Sequence, residues 1–263
     1  MGQSFGVNPK GGKATSLFDI VMTDSDEAVL KTLEQGEITI QGEFLWGSNY
    51  TFLVQVEYEG TSMQAVYKPT RGERPLWDFP SATLAKREAA AYILSEALGW
   101  RLVPPTVYRN KGPVGPGSLQ LYIEHDPEYH YFNFNEKDRQ RLRSVALFDV
   151  LINNADRKGS HILIDPEDHI WLIDHGICFH GEDKLRTVIW DFAGEKIPED
   201  LCEDVNHLKT QLVNGNSPLT KELRKYLDPQ EVKAITDRAN KIVSTGSFPN
   251  PHTSRRFQPW PPL

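Results

Sequence analysis

Cysteine is nearly missing: the 263 residues contain two, Cys178 and Cys202. Two thiols cannot build the disulfide framework of a small secreted domain, and a reducing cytoplasm is the expected setting. Long apolar runs are missing too. No stretch approaches the roughly 18–20 apolar residues that a membrane span needs, so no stable membrane insertion is expected. The opening MGQSFGVNPKGGKAT has no apolar core for a secretory signal. Gly6 stands where the myristoylation pattern needs Ser or Thr. Positive charge is not in excess: 29 Lys and Arg face 36 Asp and Glu, for a net charge of −7. That balance argues against nucleic acid as a partner and weakens a resident role on anionic membranes. His161, His169, His175 and His180 cluster in sequence, but no C-x-x-C or H-E-x-x-H accompanies them, so zinc catalysis has little support.

What is there is an ordinary globular composition, 39% hydrophobic and 25% charged. The length suits one large domain or two small lobes around a cleft. The chain is organised around Asp149 to Gly176, DVLINNADRKGSHILIDPEDHIWLIDHG. Ile162-Leu163-Ile164 and Ile170-Trp171-Leu172-Ile173 read as short buried strands, with a turn at Asp165-Pro166-Glu167-Asp168. This hairpin holds two carboxylates, Asp156 and Asp174, at the same end, with the imidazole of His161 nearby. Phosphoryl transfer needs that arrangement: one carboxylate orients the attacking hydroxyl, and another with a neighbour holds Mg²⁺ on the phosphates. The alternative for Asp156 is structural, because a loop aspartate often caps the next turn.

A helix is expected over Asp24 to Gln35, capped by Asp24 or Ser25 and stopped at Gly36. Glu37 to Gly42 and Phe52 to Tyr58 read as strands joined through Gly47-Ser48-Asn49. That small-residue tip is either a phosphate loop or a plain β-turn. Met63 to Pro69 alternates, with Ala65 and Tyr67 on one face and Val66 and Lys68 on the other. Ser81 is expected to cap a helix running to Leu98 and stopping at Gly99. Its stripe of Leu84, Glu88, Ala91, Ser95 and Leu98 contains one acid. An acid there needs a cation: Lys68 is the natural partner, and solvent or Arg87 is the alternative. Val103 to Tyr108 reads as an edge strand, since proline is tolerated there. Ser118 to Glu124 is the next strand, and one amphipathic helix is expected from Asn135 or Asp138 through Ile152. Beyond residue 200, two or three helices should break at 214–218 and 227–229. The Pro-rich end is expected to lie extended against the body or to be disordered.

In order, these motifs resemble the phosphatidylinositol 3- and 4-kinase-like branch of the atypical protein-kinase-like fold, and more specifically its small bacterial, actinobacterial members. HipA-type kinases are a more distant likeness. That branch carries D-R-x-x-x-N followed by a strand ending in D-F-G. Asp156, Arg157 and Asp174-x-Gly176 match it, and His161 stands in place of the Asn. The resemblance spans residues 38 to 215. It implies an α+β, bilobal protein-kinase-like fold, with a small antiparallel β lobe plus helix and a larger, mainly α lobe. The expected layout is a flexible tail over 1–16, an N-lobe over 17–124, a C-lobe over 125–245 and a Pro-rich tail over 246–263.

The resemblance also implies roles. Lys68 would contact the α- and β-phosphates and pair with Glu88. The Ser48 and Asn49 tip would cover the phosphates, and Glu124 and His125 would occupy the adenine hinge by order alone. Asp156 would orient the hydroxyl, Lys158 would neutralise the γ-phosphate, and Asp174 would hold Mg²⁺. Arg157 would tie the loop to a carboxylate or carbonyl. His161 would ligate metal, where imidazole favours Mn²⁺ over Mg²⁺, or would hydrogen-bond Asp156 or Asp174. The expected activity is γ-phosphate transfer from ATP to an unidentified hydroxyl on a protein, lipid or metabolite. Two alternatives stay open: a weakly catalytic or non-catalytic nucleotide-binding pseudokinase, motivated by His161, and nucleotidyl transfer on the same fold.

Overall fold

The computed structural model describes residues 24–44 and 50–263. The expected tail over 1–16 and the Ser48–Asn49 tip lie outside the described residues. Helix α1 (Asp24–Gln35) leads into a five-stranded antiparallel sheet. Its strands are β1 (Glu37–Glu43), β2 (Phe52–Tyr58), β3 (Thr61–Pro69), β4 (Thr106–Arg109) and β5 (Gly117–Leu121), in the order β1-β2-β3-β5-β4. The period-two pattern of β3 is realised, with Ala65 and Tyr67 fully buried and Val66 and Lys68 only partly so. The buried pair packs with Leu33, Val54, Val56, Val107 and Leu119 in a small core. Gly36 ends α1 through close approach: a Cβ there would lie 2.6 Å from Val56 Cγ1.

The edge position of β4 is as expected, but the strand begins at Thr106 rather than Val103. Pro104 and Pro105 have no N–H to give a ladder, although the Pro105 carbonyl still accepts from Leu121 N. Strand β5 stops at Leu121, short of the expected Glu124.

Helix α2 (Leu84–Ala97) starts later than expected. Ser81 is exposed, Ala82 takes φ +63°, and Thr83 precedes the first turn without a side-chain cap. Except at Lys86 and Ala97, every position of α2 is buried, so Glu88 sits in a wholly enclosed helix and not merely on one stripe.

The single helix expected up to Ile152 is two: α3 (Glu136–Gln140), capped by the Asn135 side chain accepting from Asp138 N, and α4 (Arg143–Ile152). The break falls at Arg141, whose guanidinium bonds Asp138 and, at 2.7 Å, Asp168 in the turn of the next hairpin. That hairpin is β6 (Ile162–Ile164) and β7 (Ile170–Leu172), paired Ile162↔Leu172 and Ile164↔Ile170. Asp165 Oδ1 closes its turn by accepting from Glu167 N and His169 N.

Residues 177–198 carry no regular element, and then come α5 (Glu199–Val213), α6 (Pro218–Leu223) and α7 (Pro229–Thr245). The expected breaks are also starts. Ser217 caps α6, and Asp228 with Glu231 forms a capping box on α7, each with proline in the first turn. Leu147, Phe148 and Leu151 of α4 meet Val205, Leu208, Ile235 and Ala239 in the main core, which also takes in much of α2. Each such fully buried side chain contributes roughly 1.5–3 kcal/mol. The Pro-rich end lies extended against the body. Phe257 O accepts from Thr187 N at 3.1 Å, and Pro262 O accepts from Gly159 N at 2.8 Å. No described helix is long and apolar enough to cross a membrane.

Candidate functional site

The site forms where β3, α2 and the β6–β7 hairpin meet. Strand β3 alternates so that Lys68 leaves the core face occupied by Tyr67. Its Nζ donates to Glu88 Oε1 at 2.5 Å and to Asp174 Oδ1 at 3.0 Å. Burial alone would lower the Lys68 pKa, but Asp174 and Glu88 outweigh it and hold the ammonium above the usual lysine range. The other Glu88 oxygen accepts from His175 N at 2.8 Å, so the helix acid also fixes the backbone beside Asp174.

Asp174 follows β7 directly and adopts φ +62°, a left-handed conformation that aspartate tolerates better than most residues. Lys68 pulls its carboxyl well below the usual range, although water at the half-exposed group moderates this. His161 Nε2 lies 3.4 Å from Asp174 Oδ2. Burial pushes the His161 pKa down to about 4, so the ring is neutral near pH 7. Nδ1 accepts from Lys158 N at 3.5 Å, which favours the tautomer with its ring proton on Nε2, the nitrogen nearer Asp174.

Asp156 shares this field. Burial raises its pKa to about 6; Lys158 opposes the rise and Asp174 adds to it. Beneath it, Arg157 is fully buried. Its Nε bonds Asp149 at 3.0 Å, Nη1 donates to Ile173 O at 2.9 Å, and Nη2 donates to His175 Nε2 at 2.8 Å. The expected anchoring of Arg157 to a carboxylate and a carbonyl is therefore seen. Asp149 also accepts from Asn154 Nδ2 and Thr187 Oγ1, so this buried carboxylate is surrounded by donors.

The structure thus brings Lys68, Glu88, Asp156, Lys158, His161 and Asp174 into one cluster. Glu124 is exposed and His125 Nδ1 contacts Ile123 O; no bond among the described residues ties either to that cluster. The four histidines disperse: His169 bonds Arg101 O, His180 accepts from Glu182 N, and His175 is buried against Arg157. Among the described residues no three His, Cys, Asp or Glu side chains converge on a cation. Asp174 supplies a hard oxygen donor with an exposed flank, and the partly exposed Asp156 carboxylate shares its field. That suits Mg²⁺, which keeps several waters and takes one or two carboxylates with the remaining ligands from phosphate. Asp149 and His175 were not singled out from the sequence as site residues. The D-R pair carried the only signal, since a buried arginine next to a loop acid requires a carboxylate somewhere upstream.

The sequence profile of the family described as Phosphatidylinositol 3- and 4-kinase matches residues 81–228. Protein Rv2133c of Mycobacterium tuberculosis is 38% identical, over 92% of this chain and 97% of that protein. Phosphatidylinositol 4-kinase gamma 4 of Oryza sativa subsp. japonica is 34% identical over 40% of this chain, but that stretch is only 22% of the rice protein. Among solved structures, hydra Fam20 with sugar superposes with a TM-score of 0.59 at 17% identity, covering 86% of this chain and 90% of that one. The golgi casein kinase gives 0.52 at 17% identity, covering 85% and 74%. Both share the fold at a distance where only the fold is informative. With a matching profile over more than half its length and a near full-length relative, the chain belongs to the phosphatidylinositol 3- and 4-kinase family, built on the bilobal, atypical protein-kinase-like fold.

Proposed function

We propose that this chain is an ATP-dependent phosphotransferase that moves the γ-phosphate to a hydroxyl acceptor. Membership of a kinase-like superfamily supports the coarse class. The observation that carries the finer reading is Lys68, bonded at once to Glu88 of α2 and to Asp174 beyond β7. An ammonium has three donors, and two are taken, so one remains for a phosphate oxygen. The Ser48–Asn49 tip would cover the phosphates with backbone N–H groups, and the Glu124–His125 backbone would carry the adenine.

Asp174 would hold the divalent ion, which supplies charge neutralisation on the phosphates. His161 would orient the Asp174 carboxylate and not ligate metal, because a ring proton on Nε2, 3.4 Å from Asp174 Oδ2, leaves that nitrogen no lone pair for the ion. Asp156 would orient the acceptor hydroxyl and take its proton, and a pKa near 6 leaves it ionised yet basic enough at neutral pH. Lys158 would meet the charge on the transferring group.

Purified protein with γ-labelled ATP and Mg²⁺ or Mn²⁺ tests this. Label should reach an added hydroxyl acceptor or the protein itself, and Asp156→Ala should abolish it. Label entering only from the α-position would replace this reading with nucleotidyl transfer. Metal-dependent nucleotide binding without transfer, unchanged in Asp156→Ala, would establish the pseudokinase reading. That second reading is favoured by one observation, the imidazole of His161 where the family motif has an amide.

A further inference from the structure

A cavity of about 550 Å³ lies apart from that cluster, between the end of α4, residues 181–185, α7 and residues 247–252. Its size falls in the range of small-molecule sites. Val150, Leu185, Ile242 and Phe248 give it an apolar wall, and Arg238 and Lys241 give it two cations.

The charges around it do not cancel. Asp183 is already taken by His252 at 2.8 Å and Arg255 at 2.5 Å, and Asp237 is taken by Lys233 at 2.6 Å. Arg238 has no bonded carboxylate among the described residues. Its Nε donates to Leu151 O at 2.7 Å and its Nη1 to His180 O at 3.3 Å, while Nη2 has none. Lys241 and the Asn250 amide, both on the lining, have no bonded side-chain partner among the described residues. Burial pushes the Arg238 pKa down to about 10 and outweighs the opposing pull of Asp183, Asp237 and Glu231, so the guanidinium is a desolvated cation. The lining thus carries two cations with no paired carboxylate among the described residues, beside two acids, Asp183 and Asp237, that are paired to cations outside it.

We propose that this cavity binds a small organic anion, with its acidic group on Arg238 and Lys241 and its apolar body against Val150, Leu185, Ile242 and Phe248. The site is independent of the phosphotransfer reading, but it is wired to the same loop. Arg238 holds the last turn of α4 through Leu151 O. Asn153, also on the lining, ends α4 at φ +54° and bonds His180 O, Glu182 O and Lys184 N. Asp156 is three residues further on, so an occupant that orders Arg238 and Asn153 also orders the approach to Asp156.

Two dyes of nearly the same apolar body test the proposal on the full chain: 8-anilinonaphthalene-1-sulfonate, and N-phenyl-1-naphthylamine, which lacks the sulfonate. The sulfonate should bind with one-to-one stoichiometry, and the neutral dye at least about tenfold more weakly, as loss of a charge-assisted contact implies. Lys241→Met should weaken the sulfonate about fivefold with the thermal melt unchanged, because Lys241 is exposed and its ammonium has no bonded partner among the described residues. Arg238 is left intact, since its removal also strips the Leu151 and His180 carbonyls. Hydrogen exchange at residues 150–156 and 180–185 should slow when the sulfonate is bound. Equal affinity for the two dyes, indifference to Lys241→Met, displacement by MgADP, or no sulfonate binding up to about 1 mM would each overturn the site. Unchanged exchange at 150–156 would overturn its link to the loop.

Discussion

Arg157 and Lys68 both gather carboxylates, and every nitrogen of Arg157 is already bonded. It is fully buried against Asp149, the Ile173 and His161 carbonyls and His175. Lys68 keeps about a quarter of its side chain exposed, 23%, and holds Glu88 and Asp174 with one donor to spare. One cation fastens the hairpin to α4; the other is an unfinished set of contacts that a ligand can complete. The difference teaches where to look for function: saturated buried charge marks architecture, and partly exposed, incompletely satisfied charge marks binding.

The comparison breaks if the two cations respond alike to removal. Arg157→Met strands Asp149 in the core and should cost about 3–5 kcal/mol in denaturant unfolding. Replacing Asp149 by Leu in that background should recover part of the loss, since an apolar pair removes the stranded charge. Lys68→Met should cost less, about 1–3 kcal/mol, because Glu88 keeps the His175 N–H. A Lys68→Met chain as unstable as Arg157→Met would erase the distinction.

On the functional side, Asp174→Asn should reduce transfer by about 10²-fold or more while the melt stays near wild type. The ion site loses its charge, whereas asparagine accepts the left-handed backbone of this position. Titrating the rate sharpens the picture. With Asp156 needed as carboxylate and its pKa raised to about 6, transfer should rise with pH through that value and level off above it. Stability should run the other way. A carboxyl whose folded pKa exceeds its unfolded value favours the fold at low pH and loses that contribution as pH climbs from about 4 to 6. Asp156→Asn should therefore melt higher than wild type above pH 6 and be inactive; a lower melt there would contradict the raised pKa. The smallest effect is expected of His161→Asn, a few-fold fall in rate with Mg²⁺ and Mn²⁺ alike, because the ring orients Asp174 without ligating the ion. A selective change in the Mg²⁺-to-Mn²⁺ rate ratio would place His161 among the ion's ligands instead.

Much of this was legible from spacing. The pattern Ile162-Leu163-Ile164, Asp-Pro turn, Ile170 to Ile173 could be little else than a hairpin, and it alone brings Asp156 near Asp174. Alternation placed Lys68 opposite Tyr67, and an acid in the α2 stripe pointed back to it. The break between α3 and α4 was not legible, because local amphipathicity runs through it and the contact made there, Arg141 to Asp168, spans 27 residues. Asp149 escaped for a similar reason: an acid within a helical pattern looks solvated until Arg157 and Thr187 are folded over it. The anion cavity had no sequence signature, since its wall is assembled from four separate segments.

Asp174 shows two demands falling on one codon. Its backbone angle of +62° disfavours β-branched and bulky residues more than glycine, asparagine or aspartate, and of those three only aspartate brings a negative oxygen. Drift at this position is thus confined twice over, by shape and by charge, and the first variants to appear should keep the shape and surrender the charge.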